Sequence, residues 1–233
     1  MLPDLVSGSQ DNCFLCGQIA GNEAADLFHL SFRDASYKRR VIDLNPHFVL
    51  IPSIGGLGEA HALLCPVEHC RRMADASQSR VIAFQEAVRT ARRVLRQLAG
   101  GTIVAFEHGA SRTGTRIPCT VEHAHLHFVV LPRDVLVELP NYDWQAIPND
   151  ISRANDRLDD REYLFWLDEV RGAMIAQPSS GTRLESQMLR LAVARALGIE
   201  EQWNWRESSE LRAADKLYDD MFSILNSTSQ QRS

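Results

Sequence analysis

The chain has 233 residues, enough for one large domain or for one domain with a sizeable extension. Its 45% hydrophobic content is ordinary for a soluble globular protein, and no apolar run approaches the roughly 20 residues that span a bilayer. A formal net charge of −5 argues against generic nucleic-acid binding but leaves room for a local basic pocket that takes a small anion.

The opening Met1-Leu-Pro-Asp-Leu-Val has no basic flank and no long apolar stretch, so a signal peptide is not expected and the cytoplasm is the expected compartment. Residues 1–12 are polar and read as a loose arm. The cysteines number five, and Cys13 and Cys16 form a Cys-x-x-Cys, which in a cytosolic chain suggests metal or redox chemistry before a disulfide framework. Gln18 to Gly21 reads as a short turn of helix. Val41–Leu44 and Phe48–Ile51 read as strands separated by the Asn45-Pro46 turn, and Ala60–Cys65 as a third strand stopped by Pro66. Apolar residues at Val81, Phe84, Val88, Ala91, Leu95 and Leu98 predict one helix from about Ser77 to Ala99, with Asp75 or Ser77 as cap and Gly100-Gly101 as stop. Its arginines Arg89, Arg92, Arg93 and Arg96 form a solvated face.

Thr102–Phe106 is a further strand. The loop Ala110–Pro118 joins it to an antiparallel neighbour that carries three alternating histidines: His123, His125 and His127. A strand repeats every two residues, so the three imidazoles face one side while Ala124, Leu126 and Phe128 face the other. One histidine on an apolar strand is usually structural. Three in a row point to a metal site built by the row itself or to a catalytic row, since imidazole titrates near neutral pH and can serve as nucleophile, proton donor or ligand.

Residues 133–160 read as a polar connection. Tyr163–Leu167 and Gly172–Ala176 form a hairpin, Leu184–Leu197 an amphipathic helix ended by Gly198, and Ser208–Leu225 a last helix after Trp203 and Trp205. The expected division is 1–135 and an extension, 136–233, packed on it.

The run His123-Ala-His-Leu-His127-Phe-Val-Val resembles the signature of the histidine triad (HIT) superfamily. Its companions fall in the family's order: Cys13-Phe-Leu-Cys16, then His61-Ala-Leu-Leu-Cys-Pro-Val-Glu-His69, then a long helix. The resemblance covers roughly residues 13–135 and implies an α+β fold, an antiparallel β-sheet with a long packed helix, here followed by a C-terminal hairpin and helices. It implies a nucleotide hydrolase or nucleotidyl transferase that cleaves at the α-phosphate through a nucleotidyl-histidine, with dinucleoside polyphosphates as candidate substrates. His125 would be the nucleophile, the carbonyl of His123 would hold its ring, and His127 would bond the phosphate or protonate the leaving group. His61 and Thr120 would line the phosphate site. Cys13, Cys16, His69 and His123 match the family's zinc ligands, a closed tetrahedral set for structural Zn²⁺. Cys65, Cys70 and Cys119 are packing residues by default.

This sequence departs from the family at several points. Glu107-His108-Gly109 replaces an Asn-Glu-Gly, so Glu107 would read another part of the substrate and His108 would face the phosphates. Ser53, beside Ile54, stands where an acidic residue usually grips the ribose. Arg112 and Arg116, in a long loop, are candidates to hold extra phosphates. The alternative function is a nucleotide-binding or sensing protein with little turnover. Base, acceptor and oligomeric state stay open, a homodimer included.

Overall fold

The computed structural model describes residues 13–32, 36–112, 123–148, 150–179 and 184–230. The fold is α+β, centred on a single antiparallel sheet. Its strands are β1 (Ile42–Asn45), β2 (Phe48–Pro52), β3 (Ala60–Pro66), β4 (Thr102–Gly109), β5 (Leu126–Leu131), β6 (Gln145–Ile147), β7 (Tyr163–Asp168) and β8 (Gly172–Ala176). They lie in the order β1-β2-β3-β5-β4-β7-β8-β6. The hairpin expected near residues 163–176 therefore extends the same sheet, since β7 pairs with β4 from Ala105↔Leu167 to Gly109↔Tyr163. Residues on both sides of position 135 share one hydrogen-bonded ladder. The stretch expected as a plain connection supplies β6, which pairs with β8.

The helices are α1 (Phe14–Ala20), α2 (Leu27–Phe32), α3 (Met73–Ser79), α4 (Val81–Leu98), α5 (Met188–Leu197) and α6 (Leu211–Gln230). The single helix expected from Ser77 to Ala99 is thus two helices broken at Arg80, whose backbone leaves helical values at φ −140° and ψ 48°. Neither Asp75 nor Ser77 caps it. The first N–H groups of α3, those of Met73 and Ala74, are satisfied from the sheet beneath by Glu107 of β4 and the Tyr163 hydroxyl of β7. That tie fixes α3 in one direction. The apolar stripe of α4, Phe84, Ala87, Ala91, Val94 and Leu95, packs on the sheet. Met221 of α6 joins this layer.

On the opposite face, α1 packs on Val49, Ile51 and Cys65, while α5 packs on Val104, Phe106, Val129 and Trp166. Alternation along β4 and β5 assigns the faces. Phe106 and His127 pair across one register position and point toward the α1 and α5 side; Ala105 and Phe128 point toward α4. Among the described residues no helix is long and apolar enough to cross a membrane.

Close approach fixes Gly109 at the end of β4. A Cβ there would lie 2.1 Å from Cε1 of Tyr163, and Tyr163 is held by its bonds to Glu107 and Ala74. Gly109→Ala is expected to cost about 2 to 3 kcal/mol, the scale of overpacking in a tight core. A denaturant midpoint unchanged from wild type would contradict this.

Candidate active site and metal centre

Strand pairing of the histidine segment begins only at Leu126. His123 and His125 precede the ladder, and the three imidazoles serve different neighbours.

His61 starts a chain of proton assignments. The backbone N–H of Leu57 donates to its Nδ1 at 3.1 Å, so a neutral His61 carries its proton on Nε2. That Nε2 lies 2.8 Å from Nδ1 of His127 and donates to it. Neutral His127 then carries its proton on Nε2. Phe106 stacks on the His127 ring, with centroids 4.6 Å apart and planes 15° from parallel. Burial first, then neighbouring positive groups, pull the pKa of His61 and His127 well below the ordinary value of 6.5, so both stay neutral.

Nδ1 of His125 lies 2.7 Å from the carbonyl oxygen of His123 and donates to it. The unprotonated Nε2 of His125 is therefore its free, nucleophilic nitrogen. His125 and His127 sit edge to face, 4.8 Å between centroids. Both line a pocket with Phe14, Leu15, Ile51, Ser53, Ile54 and Trp205.

The His123 ring turns away from this pocket. Its Nε2 donates to the carbonyl of Pro66 at 2.9 Å, which leaves Nδ1 as a lone pair facing the cysteines. That Nδ1 lies 3.6 Å from Sγ of Cys13 and 3.3 Å from Sγ of Cys16, and Nδ1 of His69 lies 3.2 Å from Sγ of Cys16. The ligand atoms of Cys13, Cys16, His69 and His123 all fall within 4.8 Å of one another, so the cluster could hold a metal ion. Tetrahedral legs of about 2.0 to 2.3 Å set ligand atoms about 3.3 to 3.8 Å apart; the two His123 distances fall in that range and the His69 distance lies just below it. The bond to Pro66 is the kind of outer contact that orients a ligating imidazole. Burial and the adjacent Cys13 push the Cys16 thiol up to about 12; a bound divalent cation reverses that preference.

The remaining residues singled out in the sequence fall in separate places. Ser53 and Ile54 line the pocket. His108 lies on the imidazole face of β4, its Nε2 3.4 Å from a carboxylate oxygen of Glu162. Exposed Arg112 bonds Asp75 and Asp160. Arg116, Thr120 and Cys119 lie outside the described residues. Glu107 lies on the opposite face of the sheet from the imidazoles, beneath α3, where it accepts from the Met73 N–H at 2.8 Å and from Tyr163. Cys65 is wholly buried among apolar neighbours.

Burial pushes Glu107 from its ordinary 4.5 up to about 8. A carboxyl whose folded pKa is raised adds stability below about pH 4.5 that is lost as pH rises through 8. The depressed histidines act the other way, removing stability as pH falls below 6.5. Thermal stability is therefore expected to decline from pH 6.5 to 8.5. In Glu107→Gln the decline should flatten; a decline of equal slope in that variant would refute the assignment.

Arg190 of α5, not singled out from the sequence, also lines the pocket together with Trp205. Its Nη2 donates to the carbonyl of Gly55 at 2.7 Å and its Nε to that of Trp203 at 2.9 Å. A Cβ on Gly55 would lie 2.4 Å from Cβ of Trp205, so only glycine permits this approach of the two segments.

No family model matches the sequence, and no curated protein matches it. Solved structures do match. A HIT family hydrolase from Clostridium thermocellum is similar at 17% identity, over 57% of this chain and all of that one, with a TM-score of 0.36. A yeast Ap4A phosphorylase in complex with Ap4A is similar at 12% identity, over 81% of this chain and 77% of that one, with a TM-score of 0.35.

Proposed function

We propose that the protein is a histidine triad enzyme, a nucleotide hydrolase or nucleotidyl transferase that acts at the α-phosphate of a nucleoside phosphate. The observation that carries this reading is the 2.7 Å bond from Nδ1 of His125 to the His123 carbonyl, which leaves Nε2 of His125 as a neutral nucleophile at the wall of the pocket. His125 Nε2 attacks phosphorus, a P–N bond forms and the P–O bond to the leaving group breaks. The leaving group carries off that electron pair. The oxygen of water, phosphate or another acceptor then attacks phosphorus, a P–O bond forms, the P–N bond breaks and its pair returns to Nε2; where water attacks, its proton is released to solvent.

The proton assignments favour one of two roles for His127. A neutral ring with Nδ1 already accepting from His61 has Nε2–H to offer as a hydrogen bond to a phosphate oxygen. It has no second proton to give. This suits leaving groups that depart as stable anions, such as the phosphate chain of a dinucleoside polyphosphate. The apolar lining from Phe14, Leu15, Ile51 and Ile54 suits a flat base.

The same reading assigns Cys13, Cys16, His69 and His123 to a structural Zn²⁺, which would fix the arm carrying α1 against the start of the triad segment. The ion would supply no chemistry to the reaction beyond that placement.

The test is intact-protein mass spectrometry after brief mixing with Ap₄A, ATP, ADP-sugars and GDP-sugars, with product analysis alongside. A nucleotidyl mass increment on wild type, with nucleotide products, is the expected result. Binding without adduct or turnover across the panel would replace this reading with that of a nucleotide-binding protein.

A further inference from the structure

Arg190 poses a problem that the triad does not solve. Its side chain is 4% exposed, and no carboxylate pairs with it among the described residues. Burial alone acts on its charge, drawing its pKa down to about 10, and a guanidinium remains cationic there at neutral pH. Two carbonyl oxygens, Gly55 and Trp203, take two of its five donors. Carbonyl dipoles offset only part of the cost of burying an unpaired charge. If Arg190 only stapled α5 to the β2–β3 loop, a neutral amide donor would serve those carbonyls without that cost. The charge also bears on the histidines, holding down the pKa of His61, His125 and His127. The pocket therefore joins an apolar wall to a cation with no counter-ion among the described residues, and an anionic ligand would pair with it.

We propose that Arg190, delivered by the C-terminal segment, is the anion-recognising residue of the pocket, and that it selects nucleoside phosphates over free nucleosides by bonding a phosphate oxygen. This rests on the nucleotide reading above and deepens it, since it makes residues 188–205 part of the binding site. Trp205, on the same segment, forms the apolar wall beside it, with its ring centroid 6.0 Å from that of Phe14.

The experiment compares AMP with adenosine by titration calorimetry on the full chain, in wild type, Arg190→Gln and Arg190→Lys. Wild type is expected to bind AMP more tightly than adenosine. In Arg190→Gln that preference should fall by about 30-fold, the factor carried by a charge-assisted hydrogen bond, while adenosine affinity stays within about 3-fold. Arg190→Lys, which keeps the charge, should recover part of the preference. An equal loss for both ligands would reduce Arg190 to a docking residue, and an unchanged preference would remove it from recognition; either result overturns the proposal. Should Arg190→Gln fail to fold, wild type labelled with ¹⁵N-arginine carries the test. The Nε–H resonance that is missing from Arg190→Lys is expected to shift with AMP and not with adenosine, and its failure to move with AMP overturns the proposal. Failure of wild type to bind either ligand would instead remove the nucleotide reading itself. A nucleotidyl adduct on wild type, with a preference insensitive to residue 190, would leave that reading intact and this one wrong.

Discussion

On the proposed function His125→Ala is expected to lower turnover by about four orders of magnitude or more, because the step that splits one hard displacement into two has no other nucleophile in place among the described residues. Neighbouring His127 cannot substitute: its Nδ1 is occupied by His61, and its Nε2 carries the proton. His61 is committed at both nitrogens, to Leu57 and to His127. The variant should still bind AMP within a few-fold of wild type, since the apolar wall and Arg190 are untouched, and it should show no nucleotidyl mass increment. The comparison that decides is single-turnover product formation in the two proteins at matched saturation. Residual turnover above about one part in a hundred, with an adduct still forming, would mean that another group attacks phosphorus.

The second large effect is structural. Cys13→Ser with Cys16→Ser is expected to abolish stoichiometric zinc and to lower the melting temperature by about 10 °C or more. Structural zinc contributes folding free energy outright, and in a chain of this length each kcal/mol moves the midpoint by about 2 to 4 °C. The damage should not stay at the metal. Phe14 and Leu15 of α1 line the pocket two residues or fewer from the cysteines, so loosening the arm raises KM. It should also slow the chemical step, because His123 has two jobs: its ring faces the cysteines while its carbonyl orients His125. Elemental analysis and a melting curve on the same preparation make the measurement. Zinc content unchanged by the double substitution would move the metal to the triad row itself and discard the four-ligand site.

Some of this arrangement was legible in the sequence because it depends on local period. Short apolar runs bounded by turn residues placed strands at residues 48–51, 60–65 and 102–106, and helical spacing found the buried face of α4. What depended on distant partners was not legible. The separate helix α3 is anchored at its start by Glu107 and Tyr163 of the sheet beneath it, a tie between residues 34 and 89 positions apart. That β7 would join β4 follows from sheet pairing, which hydropathy does not encode. The side of the sheet that Glu107 occupies could have been read: it alternates with Phe106 and His108, so it points away from them. Arg190 also left a signal. In helix α5 it shares the stripe of Leu189, Val193 and Ala194, and a charge on an apolar stripe is a buried charge that needs a reason.

The 135 positions between Gly55 and Arg190 have a consequence for biosynthesis. A ribosome that has released the triad strand has still to make about a quarter of the chain before the helix that closes the pocket exists. Until then, on the proposed function, the nascent protein would lack Arg190 and the Trp205 wall that hold a nucleotide against His125. On the proposed reading, placing those residues late leaves a fragment inert: a message truncated after β8 would lack both Arg190 and Trp205, and competence would arrive only once residue 205 had been made.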